Sequence, residues 1–257
     1  MPKKYRVRYF IHLAYNGTAY HGWQRQNNAH TVQAELEKCL SLKLGETISI
    51  IGCGRTDTGV HARNFYAHFD LETYNQTIES MSFANQLNRF LPPDIVVYRI
   101  WEVSEKLHAR FDALSRIYRY YLHTEKAVFE PHSYYFPQQL DLQQMNKAAN
   151  LLLNHTDFTS FSKLHTQART NNCQITYAHW TSHQNQLIFE IRADRFLRNM
   201  VRAIVGSLIE VGLHKGSPHD FEQLILAKNR NAAGYSVPAH ALFLEDVIYP
   251  PELLQTH

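Results

Sequence analysis

The chain has no CxxC pair among its three cysteines, Cys39, Cys53 and Cys173, so a thiolate zinc site is not expected. An odd, sparse set of thiols suits a reducing compartment. Sixteen histidines are scattered without HExxH or HxH spacing, so His21, His61, His108 and His165 are not read as metal ligands. No run of 18 apolar residues exists to cross a membrane. The opening "MPKKYRVRYF" is basic but lacks the apolar stretch of a secretory signal. Low-complexity tracts and flexible linkers are missing too. These absences predict a cytoplasmic, globular protein.

Charge is present but modest. The formal net charge is +3, which permits a nucleic-acid partner and demands evidence of clustering. Aromatics are plentiful, with 15 Tyr and 14 Phe, and supply both core and stacking surface.

Periodicity orders the chain. Tyr5–Tyr15 alternates as a strand. Val32, Leu36, Cys39 and Leu40 recur at helical spacing before Gly45, which is placed to end the helix. "TISIIGC" and "NFYAHFDL" read as strands on either side of a short loop. A helix carrying Ile78, Met81, Ala84 and Leu87 runs toward Pro92 and Pro93, and "DIVVYRIWEV" follows as a strand. The order is β-α-β-β-α-β. The second half repeats it: "RIYRYYLH", a helix capped by Asp141 with Gln144 as its capping-box partner, the hairpin "CQITYAHWTS"/"QLIFEIRAD", a long helix from about Phe196, a shorter one near Phe221–Leu226, and "ALFLEDVIY". The expected fold is α+β: two ferredoxin-like halves, residues 1–105 and 106–257, joined into one wide, mostly antiparallel sheet with helices on one face and a central cleft.

Three stretches carry candidate chemistry. "CGRTDTGVHAR" sets Asp57 in a strand-to-strand loop between Gly54 and Gly59, crowded by Arg55, His61 and Arg63. A turn aspartate bonding its own backbone is the plain alternative. "DTG" also matches the aspartic-protease core, but those enzymes need two such carboxylates, and this chain has one, preceded by polar "GRT". In "RIYRYYLH", Arg116, Tyr118 and Tyr120 share one strand face, a pattern suited to RNA as well as to a half-buried strand. In "DRFLRNMVRAIVGSLIEVG", Arg195, Arg198 and Arg202 recur at three- and four-residue spacing and are expected on one helical face, opposite phosphate or a carboxylate. Gly206 inside that helix predicts close approach of another element. The long loop "NHTDFTSFSKLHTQARTNNC" adds Lys163, His165 and Arg169.

"GRTDTGVHA" resembles the signature of the tRNA pseudouridine synthase A family. "YNGTAYHGWQRQ", "HARFDALSRIYRYY", "DFTSF" and "FLRNMVRAIVGSLIEVG" agree in order, so the resemblance spans about Tyr5 to Tyr249. It implies the duplicated α+β fold and isomerisation of uridine at positions 38–40 of the tRNA anticodon arm. It makes Asp57 the catalytic aspartate and Tyr118 the tyrosine stacking on the target base. Arg202 matches the basic partner of the aspartate, and Arg55 lies where the RNA backbone or the flipped nucleotide is contacted. Arg198 is taken as a further substrate-binding residue from its arginine cluster. The resemblance also implies no cofactor, no catalytic metal, and a homodimer sharing one tRNA. Phe65 and Tyr66 stand where the family has a glutamine-valine pair and are expected to alter packing beneath the loop. A non-catalytic RNA-binding protein on the same fold is the alternative.

Overall fold

A computed structural model describes residues 5–73, 78, 80–163 and 170–254. His165 and Arg169 lie outside these residues. The described chain contains nine strands and six α-helices, the mixed, mostly antiparallel α+β class that the sequence predicts. Among the described residues no helix is long and apolar enough to cross a membrane.

The chain divides into two compact units, one built from residues up to Leu114 with the tail from Leu244, the other from Ser115–Phe243. The first holds β1 (Tyr5–Tyr15), α1 (Val32–Leu44), β2 (Ile50–Gly52), β3 (His61–Thr73), α2 (Ser80–Asn88) and β4 (Ile95–Val103). Strand β9 (Leu242–Ile248) returns to it, giving the order β4-β1-β3-β9 with β2 beside β3. Thr31 caps α1 by accepting the Ala34 N–H, and Gly45 ends it in the left-handed region at φ 75°. Alternation along β1 puts Tyr9, Ile11, Leu13 and Tyr15 in the core on one face. α1 is tied to β2 twice, by the Ile50 N–H to Glu37 and by Gln33 to the Ile50 carbonyl, both at 3.0 Å.

The second unit holds β5 (Ser115–His123), β6 (Tyr134–Tyr135), α3 (Leu142–Leu151), β7 (Ile175–His183), β8 (Gln186–Ala193), α4 (Met200–Gly212) and α5 (Pro218–Leu226). β5, β8 and β7 pair in that order, antiparallel, with β6 beside β5. Asp141 caps α3 as expected, accepting the Gln144 N–H at 3.0 Å, but its own N–H donates to the Gly212 carbonyl at 2.9 Å rather than to the Gln144 side chain, so the expected capping box is not formed. A complete capping box stands on α5, between Ser217 and Asp220. The last short helix, α6 (Pro251–Leu254), closes the described chain.

The other face of β1 carries Phe10, whose ring lies 6.1 Å from His68 and 5.7 Å from Trp101. His68 is 1% exposed, and its Nδ1 accepts the Ala109 N–H at 3.1 Å. Burial, then the nearby Arg8 and His108, hold its pKa down to about 4. An unfolded chain binds this proton at the ordinary value of 6.5, so between these values the unfolded state holds more protons. Stability is therefore full above pH 6.5 and falls as pH drops toward 4, by ~2 kcal/mol at pH 5. His68→Phe keeps the ring stacking and should flatten the difference between urea unfolding at pH 7 and pH 5 by that amount. An unchanged difference would assign the acid sensitivity elsewhere.

Candidate active site

Asp57 lies, half-buried, in the loop of residues 53–60 between β2 and β3, in the first unit. The loop closes on itself where the Val60 N–H reaches the Asp57 carbonyl at 3.1 Å, with Gly59 at φ 79°. Arg55 is exposed beside it and makes no ion pair among the described residues.

A second segment, residues 16–23, clamps this loop. The Trp23 N–H donates to the Thr56 carbonyl and the Gly59 N–H to the Tyr20 carbonyl, both at 3.3 Å. The Tyr15 hydroxyl meets the Thr56 hydroxyl at 2.9 Å. The Gly17 N–H donates to Nδ1 of His61 at 3.0 Å, and His61 is 1% exposed. Two glycines allow this approach. A Cβ on Gly17 would lie 2.0 Å from the Val60 carbonyl oxygen, and one on Gly22 would lie 2.4 Å from that of Thr56. Gly22 also sits at φ 89°, a conformation that L side chains resist. The sequence pattern did not predict this clamp. Its signal was the pair of glycines in "YNGTAYHGW", five residues apart.

Beneath the loop, Phe65 packs against Trp23 at 4.0 Å and against Tyr15 at 5.5 Å. The Tyr20 hydroxyl donates to Asp94 at 2.6 Å, and burial with this bond pushes its pKa far up, so it stays protonated.

The other three candidates belong to the second unit. Tyr118, on β5, is 9% exposed and meets Phe196 edge-on at 5.1 Å. Tyr120, on the same strand face, is fully buried, and its hydroxyl donates to the Pro238 carbonyl at 2.9 Å, so it serves the core. Arg119 pairs across the ladder with Glu190 at 2.7 Å.

Arg202 lies on α4. Its Nε donates to the Val237 carbonyl at 2.7 Å, and its two Nη groups make no hydrogen bond among the described residues. One bond thus orients the planar fork, while the paired donors suited to a carboxylate or phosphate stay available.

The shared helical face of Arg195, Arg198 and Arg202 is not observed. α4 begins at Met200, and Arg195 and Arg198 precede it in non-helical chain. Asn199 sits at φ 65°, which no helix can continue through, and its side chain bonds Ser236 at 2.6 Å. Upstream, Asp194 accepts the N–H groups of Arg195 and Gln174, each at 2.7 Å, and the Arg198 carbonyl accepts the Lys163 N–H at 3.1 Å. These bonds hold the segment open. Arg198 is exposed there.

What the geometry offers is one carboxylate on a clamped loop in one unit, and in the other a nearly buried tyrosine and an oriented guanidinium. Among the described residues no pair of aspartates sharing a proton is seen beside Asp57.

Comparison with known proteins accords with this inventory. A family model described as tRNA pseudouridine synthase matches residues 148–250, from α3 through β9. A tRNA pseudouridine synthase A of Parabacteroides distasonis is 52% identical over 248 residues, covering 96% of this chain and 97% of that protein. One from Porphyromonas gingivalis is 50% identical over 250 residues, 96% of this chain and 99% of its own length. A more distant one, from Colwellia psychrerythraea, is 38% identical over 247 residues, 95% and 94% of the two chains. Identity at this level over nearly the whole length shows that the chain belongs to the tRNA pseudouridine synthase A family.

Proposed function

We propose that this protein isomerises uridine to pseudouridine at positions 38–40 of the tRNA anticodon arm, with Asp57 as nucleophile. The observation that carries the reading is the near-complete overlap with relatives named tRNA pseudouridine synthase A. The chemistry needs a nucleophile, a way to hold an extruded base, and a charge that keeps the carboxylate ionised. Asp57, Tyr118 and Arg202 answer these needs in turn, and Arg55 and Arg198 are read as contacts to the RNA.

The Asp57 carboxylate attacks the target nucleoside, at C1′ of the ribose or C6 of the base. The N1–C1′ bond breaks, the base turns while held against the Tyr118 ring, and C5 joins C1′. The hydrogen at C5 leaves as a proton, the carboxylate is released, and the sum is an isomerisation with no net electron transfer. A base inside a stacked stem must leave the helix for this, and an aromatic face replaces part of the stacking lost. By kinship the enzyme is read as a cytoplasmic homodimer sharing one tRNA.

The test is tritium release from unmodified tRNA transcripts whose [5-³H]uridines are confined to positions 38–40. Release from these, and none from transcripts labelled only elsewhere, is the expected result. Release only from other positions would overturn the assigned site. Binding without release would leave an RNA-binding protein.

A further inference from the structure

The reaction as read uses Asp57, but the residues that decide where Asp57 stands lie outside the signature. The Asp57 backbone is anchored on both sides. On its N-terminal side, Thr56 is held three ways: its carbonyl by the Trp23 N–H at 3.3 Å, its hydroxyl by that of Tyr15 at 2.9 Å, and its backbone by the close approach of Gly22. On its C-terminal side, Gly59 is bonded to the Tyr20 carbonyl at 3.3 Å, and Val60 is bonded back to Asp57 itself.

Of these anchors, only one runs from a side chain of the central sheet to the residue preceding Asp57. Tyr15 is the last residue of β1, and the β1–β3 register shifts between Leu13, opposite Phe65, and Tyr15, opposite Ala62. The extra residue lies on β3, so alternation along β1 continues through Tyr15 and keeps its side chain on the core face with Leu13. The ring is 4% exposed and packs on Trp23 at 6.0 Å and Phe65 at 5.5 Å, while its hydroxyl reaches the loop. Thr56 is itself buried. The ring is thus fixed by apolar packing that does not depend on the hydroxyl, and the hydroxyl transmits that fixity to Thr56.

We infer that Tyr15, through its hydroxyl bond to Thr56, is a positioning residue for the Asp57 carboxylate. The inference rests on the reading of Asp57 as nucleophile. A nucleophile displaced by a fraction of the reacting distance loses the aligned approach on which an intramolecular attack depends. Tyr15→Phe removes one oxygen and leaves the ring. Thr56→Val removes the other partner at nearly constant shape, and Thr56→Ser keeps the hydroxyl. Neither Tyr15 nor Thr56 is required to touch RNA, so the effect falls on the chemical step.

The experiment is single-turnover tritium release at saturating [5-³H]uridine-labelled tRNA, with tRNA affinity and thermal midpoint measured on the same variants. Tyr15→Phe and Thr56→Val should each slow release about tenfold with affinity within about twofold of wild type, the size expected for one lost hydrogen bond that acts on alignment. The double variant should be no slower than either single one, because both remove the same bond. Thr56→Ser should run near the wild-type rate. Rates within twofold of wild type, multiplied losses in the double variant, or a loss confined to affinity or to the folded fraction would each overturn the inference. Asp57→Asn, run alongside, separates the two readings: if it still releases tritium, Asp57 is not the nucleophile. If it is inactive while Tyr15→Phe is unaffected, only the positioning role fails.

Discussion

Asp57→Asn should abolish tritium release, lowering it by at least ~10⁴-fold, the scale on which an enzyme loses activity when its nucleophile is removed. Asparagine matches aspartate in shape and leaves the backbone roles of the position intact. The Asp57 carbonyl still accepts the Val60 N–H, and the flanking bonds to Thr56 and Gly59 do not involve the carboxylate. The loop therefore persists, and tRNA affinity should stay within about twofold, since affinity for RNA is set mainly by phosphate contacts. What disappears is the anionic oxygen that forms the bond. Undiminished release would remove Asp57 from the centre of the reaction, whereas loss of binding and turnover together would make it a structural residue of the loop.

Gly206→Ala should cost ~3 kcal/mol, at the upper end of ordinary overpacking, and lower the thermal midpoint by on the order of 10 °C. In an open helix the same change is favourable, by about 1 kcal/mol, so the predicted sign is itself diagnostic. A Cβ at this point of α4 would lie 1.9 Å from the Tyr235 carbonyl oxygen. That carbonyl cannot easily retreat. The Gly234 N–H is bonded to Ser207 at 3.2 Å, Ser236 to Asn199 at 2.6 Å, the Val237 N–H to the Arg202 carbonyl at 3.3 Å, and the Pro238 carbonyl to Tyr120 at 2.9 Å. Displacing the segment also removes the Val237 carbonyl that orients Arg202, so turnover should fall more than the folded fraction does. Urea unfolding and single-turnover release on the same preparation check both parts. A variant as stable as wild type would show that the segment slides off α4 at little cost.

Much of the architecture was legible because it is local. Alternation along β1, β4, β5 and β8, the Asp141 cap and the glycine ending α1 are properties of a few neighbouring residues, and each appears where it was expected. The closeness of packing at Gly206 was legible for the same reason. A glycine weakens the helix that carries it, so its place inside an apolar helix marks a point where another backbone needs the room. The start of α4 was not legible. Residues 195–199 have a helical pattern of charge, but Asp194, Lys163 and Ser236, the last two far away in sequence, hold them in an open conformation. Tertiary hydrogen bonds outweigh a weak local propensity there.

The sequence by itself determined the class of fold and the family, and it put forward Asp57 as the one carboxylate, because a nine-residue signature and a strand-helix order survive without knowledge of any contact. Only the tertiary structure decided how the loop bearing that carboxylate is held. Tyr15 meets Thr56 across 41 positions of chain, and Gly17 meets His61 across 44. Bonds of that span depend on β1 and β3 lying side by side, and no window of sequence contains both partners.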